Sequence, residues 1–267
     1  MTDGSVFDLP VLAASRWMFT CYAILGDDGS VVMVDAGLPS SAQGALNSLR
    51  GAGRQPEDVT AVLATHGHSD HVGGMSTVLD QTAARALLPE RCRHYLEGET
   101  PRNFGVDANV RFLPMMGQHP FKPAALRELA QVGRTDGYGR RPTFALPFIP
   151  SGYLADGDPV PGGPGWTVIA TPGHTDDSIS LYHADSATLM SGDEVLTHDG
   201  RAWFNPEWVD RRAHSATEER LRALDVRYLL PGHGRPVEGD VWGRARSAGE
   251  CPPGRGILTR CERRFGR

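Results

Sequence analysis

Thr65-His66-Gly67-His68-Ser69-Asp70-His71-Val72-Gly73-Gly74 is the stretch on which the reading of this chain turns. Three histidines and one carboxylate lie within six residues, directly after the apolar run Ala61-Val62-Leu63-Ala64. That run is short and flanked by turn-formers, which predicts a buried strand. Met75-Ser76-Thr77-Val78-Leu79, after Gly73-Gly74, predicts a helix over about residues 74–82. The cluster therefore falls on a strand-to-helix loop, the edge of a sheet where α/β proteins place their chemistry. Side chains on such a loop alternate in direction, so His66 and His68 converge on one point while Asp70 and His71 reach a second. Imidazole and carboxylate ligate zinc, iron and manganese. A merely polar loop with scattered histidines would not concentrate four such groups behind one strand.

Upstream, Met18 to Leu25 and Val31 to Val34, joined by Gly26-Asp27-Asp28-Gly29-Ser30, predict a hairpin that ends at Asp35-Ala36-Gly37. Pro39 and Ser40-Ser41 open a helix carrying Ala45, Leu46 and Leu49, so Asp35 reads as a helix cap or as a functional carboxylate. Downstream, Ala84 to Leu88 predicts a strand ended by Pro89. From about 90 to 158 the chain is rich in Pro, Gly, Arg and large apolar residues without a sustained period, and only Pro123 to Val132 reads as helix. A long aromatic connection of this kind is an insertion folding over the cluster as a lid or pocket wall, or a homodimer contact. After it the pattern of the first half repeats. Strand Trp166 to Ala170 runs into His174, Ser178 to His183 is a second strand, and Ala187 to Met190 leads to Asp193. A helix over about Pro206 to Ala223 then precedes strand Val226 to Leu230, which ends at His233. Three times an apolar strand delivers a His or Asp on a Gly-containing loop.

Taken together, these segments resemble the metallo-β-lactamase superfamily, over residues 15 to 236 outside the insertion. The resemblance implies an α+β fold: a four-layer αβ/βα sandwich of two similar halves, with the site at one edge of the paired sheets. It implies two divalent metal ions, zinc first and iron or manganese as alternatives. His66, His68 and His174 would hold one, Asp70, His71 and His233 the other, with Asp193 bridging. It implies that Asp35 hydrogen-bonds a site histidine from behind. Asp70, Asp193 and His233 are the expected catalytic groups, and His198 is either substrate-facing or a surface-loop residue, with Trp203 and Asn205 of the same standing. Two divalent ions about 3.5–4 Å apart repel, which calls for anionic ligands, and they lower the pKa of water towards ~7. The implied activity is hydrolysis of a carbonyl substrate: a lactone, ester or thioester. An iron-dependent, oxygen-using redox enzyme and a phosphodiesterase are the rivals on the same ligand set. His68 stands where the flavodiiron branch carries a glutamate, which argues against that branch. Asp176-Asp177 departs from the apolar or Pro-Gly stretch of many relatives, and either caps a turn or binds a cationic group.

The totals fit a single catalytic domain. Its 267 residues divide into residues 1–240, with the insertion at 90–158, and a basic, weakly ordered tail at 241–267. A net charge of −5 gives no general electrostatic case for nucleic acid. The expected partner is a small molecule with apolar surface; seven Arg/Lys against four Asp/Glu over residues 98–153 would tolerate an anionic substituent. No run of 18 apolar residues predicts a membrane span. Asp3 and Asp8 do not suit a signal peptide, so the cytoplasm is expected. Cys21, Cys92, Cys251 and Cys261 form no C-x-x-C pair and read as thiols; nothing supports a Cys251–Cys261 bridge. Lys122 is the single lysine, an arginine bias that resembles a GC-rich bacterial genome.

Overall fold

Val31-Val32-Met33-Val34 is buried on both faces, Val31 and Met33 to one side, Val32 and Val34 to the other. Strands with this period-2 pattern, covered on both sides, belong inside a layered molecule. The structure, a computed structural model, describes residues 4–139 and 141–250, apart from the side chains at 106, 107 and 109. Strands β1 (Gly4–Ser5), β2 (Val11–Arg16), β3 (Phe19–Leu25), β4 (Val31–Val34), β5 (Val59–Leu63), β6 (Arg85–Pro89) and β7 (Gly152–Leu154) form one sheet in chain order. β1 to β4 pair antiparallel, and β4 to β7 parallel. The chain continues with β8 (Trp166–Ala170), β9 (Ile179–His183), β10 (Thr188–Gly192), a hairpin of β11 (Val195–His198) and β12 (Arg201–Phe204), then β13 (Tyr228–Pro231) and β14 (Val237–Glu238). The second sheet has the order β14-β13-β10-β9-β8.

The inner faces meet in one core, where Val32, Val34, Leu63 and Leu87 pack against Trp166, Val168, Leu181, Met190 and Leu230. Outside the first sheet lie α1 (Pro39–Gly51) and, beyond the four-residue α2 (Ser69–Val72), α3 (Met75–Leu79). Their Leu46, Leu49, Met75 and Val78 cover Val31, Met33, Val62 and Leu88. Before the second half come α4 (Cys92–Leu96), α5 (Val106–Gly117) and α6 (Pro123–Val132). Outside the second sheet, Leu221 of α7 (Arg211–Arg222) and Phe204 cover Leu189 and Leu229. Helix, sheet, sheet, helix is the expected four-layer sandwich.

Several elements differ from expectation. β2 precedes the predicted hairpin, and the insertion holds α4 and α5 as well as the predicted α6. α5 starts after Gly105 without a side-chain cap and carries Pro114 inside, so its sequence reads as a loop. The β11–β12 hairpin turns on Asp199-Gly200, with φ of 51° and 69°. Asp-Gly is the dipeptide such turns favour, so that signal was present in the sequence. α7 begins at Arg211 rather than near Pro206, because the Asp210 carboxylate accepts the Arg212 and Ala213 N–H groups and fixes the N-terminus there. Residues 241–250, counted in the expected weakly ordered tail, instead pack on the domain. Val241 is buried, Trp242 stacks on Phe204 and donates Nε1–H to Leu224 O, and Arg246 exchanges backbone hydrogen bonds with the β12 strand. The remainder of that stretch, with Cys251 and Cys261, lies outside the described residues. Cys21 and Cys92 are buried thiols. Among the described residues, no helix is long and apolar enough to cross a membrane.

Candidate metal centre

β4 and β5 run parallel, as do β10 and β13, and β8 shares the direction of β10 through the antiparallel β9 between them. Their C-terminal ends deliver Asp35, the 65–71 loop, His174, Asp193 and His233 to one edge of the sandwich. There three overlapping groups form: His66, His68 and His174; His66, His71 and Asp193; and Asp70, His71 and His233. Within each, the potential ligand atoms lie within 4.8 Å of one another. His66 Nε2 is 2.9 Å from His68 Nδ1. Asp193 Oδ2 stands 4.0 Å from His66 Nε2, 3.6 Å from His174 Nε2 and 3.0 Å from His233 Nε2, while its Oδ1 is 3.3 Å from His71 Nε2. Asp70 Oδ2 is 3.5 Å from His233 Nε2. All seven side chains singled out as metal ligands thus meet at one place.

Second partners fix which ring nitrogen faces the centre. His71 Nδ1 is 2.9 Å from Asp35 Oδ2, His174 Nδ1 donates to Glu207 O at 3.0 Å, and His233 Nδ1 donates to Met18 O at 3.1 Å. Thr65 Oγ1 donates to Asp35 and lies 3.3 Å from His66 Nδ1. In these four rings the outer partner engages Nδ1, which leaves Nε2 facing the centre. Burial pushes His66 and His68 down, and His174 to about 3, so these three are neutral, as ligands must be. Burial alone would also lower His233, but Asp193 and Asp70 outweigh it and raise it to about 10. Burial would raise Asp70, yet His233 and His71 bring it down to about 2.

The site fits a cation on one further observation. His71 Nε2, His174 Nε2 and Asp193 Oδ1 are buried, make ion-pair contacts with one another's residues but no well-formed hydrogen bond, and all three point into the cluster. Buried polar atoms in that state need a partner, and metal ions satisfy donor sets of this composition.

Supporting residues surround the cluster; Glu194, Glu207 and His214 among them carried no signal in the sequence, whereas Asp35, Asn205, Asp176, His198 and Trp203 were already candidates. Asp35, at φ 55°, accepts Thr65 N at 2.7 Å as well as reaching His71, so a left-handed backbone aims its carboxylate. Asn205 is fully buried, donates to Asp193 O at 2.8 Å and contacts His174 Nδ1 at 2.9 Å. Glu194 accepts His174 N, and its other oxygen is 3.5 Å from His214 Nδ1. The Glu207 carboxyl is pushed up to about 8 by burial and by Asp193. Asp176 accepts from Arg91 and Tyr95, so its cationic partner comes from the protein itself. His198 sits edge-on to Trp203 with Nδ1 3.3 Å from Asp199, and Trp203 is buried among Trp17, Met18 and Met115.

The insertion borders the cluster. The Phe104 ring lies 4.9 Å from His174 and 5.4 Å from His68, and the Phe112 ring 5.7 Å from His233. Arg102 donates to Val209 O, Arg111 donates to Pro206 O and lies over the Trp208 ring, and Gln118 donates to Thr197 O. These contacts anchor the α5 region to the second half.

Similarity to known proteins agrees with this geometry. The "Probable metallo-hydrolase YflN" of Bacillus subtilis (strain 168) is 27% identical over 233 residues, covering 79% of this chain and 77% of that one. "Metallo-beta-lactamase domain-containing protein 1" of Xenopus laevis is 27% identical over 221 residues, covering 78% and 72%. A metallo-beta-lactamase family protein from Thermus thermophilus shares the fold with a TM-score of 0.57 at 21% identity, covering 88% of this chain and 76% of that one. The sequence profile of the metallo-beta-lactamase superfamily matches residues 17–233, a span that includes strands β3 to β13 and all seven clustered side chains. This chain belongs to the metallo-beta-lactamase superfamily.

Proposed function

We propose that the protein is a dinuclear metal-dependent hydrolase acting on a lactone, ester or thioester with substantial apolar surface. The observation that carries the reading is the convergence of seven His and Asp side chains, with buried His71 Nε2, His174 Nε2 and Asp193 Oδ1 at their centre making no well-formed hydrogen bond. His66, His68 and His174 would hold one divalent ion, Asp70, His71 and His233 the other, with Asp193 between them. Two such ions supply Lewis acidity toward a carbonyl oxygen and a water nucleophile at neutral pH. The chain's own groups do the rest. Asp70, 19% exposed beside nearly closed neighbours, is placed to take a proton from the attacking water at Oδ2 and pass it toward the leaving atom. Phe104 and Phe112 exclude water and hold the apolar part of the substrate against the histidine rings. The buried thiols of Cys21 and Cys92 suit a reducing compartment, in keeping with the cytoplasm.

The first test is elemental analysis of protein purified without added metal or chelator, followed by panels of lactones, esters and thioesters. About two zinc per chain and turnover on one panel support the proposal. Iron with oxygen uptake would replace it by the redox reading. Hydrolysis of bis(p-nitrophenyl) phosphate but of no carboxylic ester would replace it by a phosphodiesterase.

A further inference from the structure

We infer that Asp177 is a positioning residue that makes the metal-binding geometry of the His66-Gly67-His68 turn depend on the folded insertion. The inference rests on reading His66, His68 and His174 as metal ligands, and is independent of the substrate. Asp177 lies three residues after His174 and is 2% exposed. Its Oδ2 accepts Gly67 N at 2.7 Å and the Cys92 thiol at 3.2 Å, and its Oδ1 accepts the Tyr138 hydroxyl. Cys92 opens α4 and Tyr138 follows α6, so two of the three donors come from the insertion.

The same insertion residue holds the other side of the turn. Tyr138 N donates to Gly67 O at 3.0 Å, Ser69 N donates to Tyr138 O at 3.2 Å, and the Tyr138 ring lies 4.7 Å from the His68 ring. Gly67, between two ligand histidines, is therefore fixed at its N–H by Asp177 and at its carbonyl by Tyr138, through an isolated parallel bridge between His68 and Tyr138 rather than a continuous strand pair. There is no slack in this packing. A Cβ on Gly67 would meet Phe144 at 2.8 Å and Tyr138 at 2.9 Å. Removing the carboxylate would strand the buried Gly67 N–H and free the turn to rotate, which separates His66 Nε2 from His68 Nδ1. Partners standing behind metal ligands are commonly worth about 10–100-fold in metal affinity.

The test uses full-length protein stripped of metal and titrated with Co(II), following the visible d–d band and competing with a chelator. Asp177→Ala is expected to weaken Co(II) binding about 10–100-fold and to alter the band. Asp177→Asn, whose amide oxygen can still accept Gly67 N–H, should recover part of that loss. Tyr138→Phe, a milder change that keeps the ring, should shift affinity in the same direction. Co(II) should also protect Cys92 from alkylation, read by peptide mass, and Asp177→Ala should abolish the protection. Wild-type affinity and spectrum in all three variants, with only the melting temperature of the metal-free protein lowered, would overturn the inference and leave Asp177 a fold-stabilising group. Failure of the wild type to bind Co(II) would overturn it together with the metal-site reading, whereas binding without turnover on any substrate panel counts against the hydrolase alone.

Discussion

Asp193 turns one oxygen toward His66, His174 and His233 and the other toward His71, which makes it the side chain shared by both ligand groups. Asp193→Ala should reduce bound metal from two ions to about one per chain and lower turnover by at least about 100-fold, checked by elemental analysis and initial rates. Asp35→Ala acts through the His71 ring and should cost less, about 10-fold in metal affinity. Gly67→Ala drives a methyl into Phe144 and Tyr138 and should destabilise the fold by about 1–3 kcal/mol, measured by denaturant melts. At this scale the sequence was most informative where residue chemistry is rare for its position. Histidine and aspartate directly after apolar strands announced the cluster. Glu194 and His214 carried no such mark, and Asn205 and Asp176-Asp177 stood out without showing the roles they hold. Their roles come from contacts with residues distant in the chain, and an amide or carboxylate in a loop is ordinary in sequence.

The strands with buried, alternating residues were visible in the sequence because both their faces need apolar cover. The insertion was harder to read, since its helices are set by what they lie on. α5 has Pro114 in its interior and no capping side chain, and is fastened by Arg111 and Gln118 to loops of the second half. α6 is joined to α1 by Glu128, whose carboxylate accepts Ser40 N and Ser40 Oγ at 2.6 Å each, at the positive end of α1. An element held this way, with Phe104 and Phe112 facing the histidines, is expected to set substrate preference. Phe112→Ala should raise KM for apolar substrates about 10-fold while leaving metal content and kcat for a small ester near wild type. Equal loss on large and small substrates would count against a wall role.

Across the whole molecule, the two sheets are joined by apolar packing and, near the site, by buried polar links, one of which ties strand to strand through a side chain. Tyr22 Oη donates to Pro231 O at 2.8 Å, from β3 of the first sheet to β13 of the second, two residues before His233. Tyr22→Phe keeps the ring volume but leaves that carbonyl unpaired, and should cost about 1–3 kcal/mol in unfolding free energy. Stripping metal from the wild type should lower Tm further, by the binding energy the folded state loses. The overall architecture was foreseeable from the resemblance that the ligand motifs carry; the strand-and-helix rhythm is compatible with it but would not alone have identified it. The close fit of residues 241–250 was not, because Val241 and Trp242 are too few to stand out in an Arg- and Gly-rich stretch.

His66, His68, Asp70 and His71 come from the first sheet, and His174, Asp193 and His233 from the second. Ions held there would act as a non-covalent cross-link between the two ends of the chain, closing a loop longer than disulfides usually span. In a cell short of that metal the fold would lose this cross-link and its unfolded form, the one proteases cut, would be more populated. The abundance of this protein would then follow metal supply, with no dedicated sensor required.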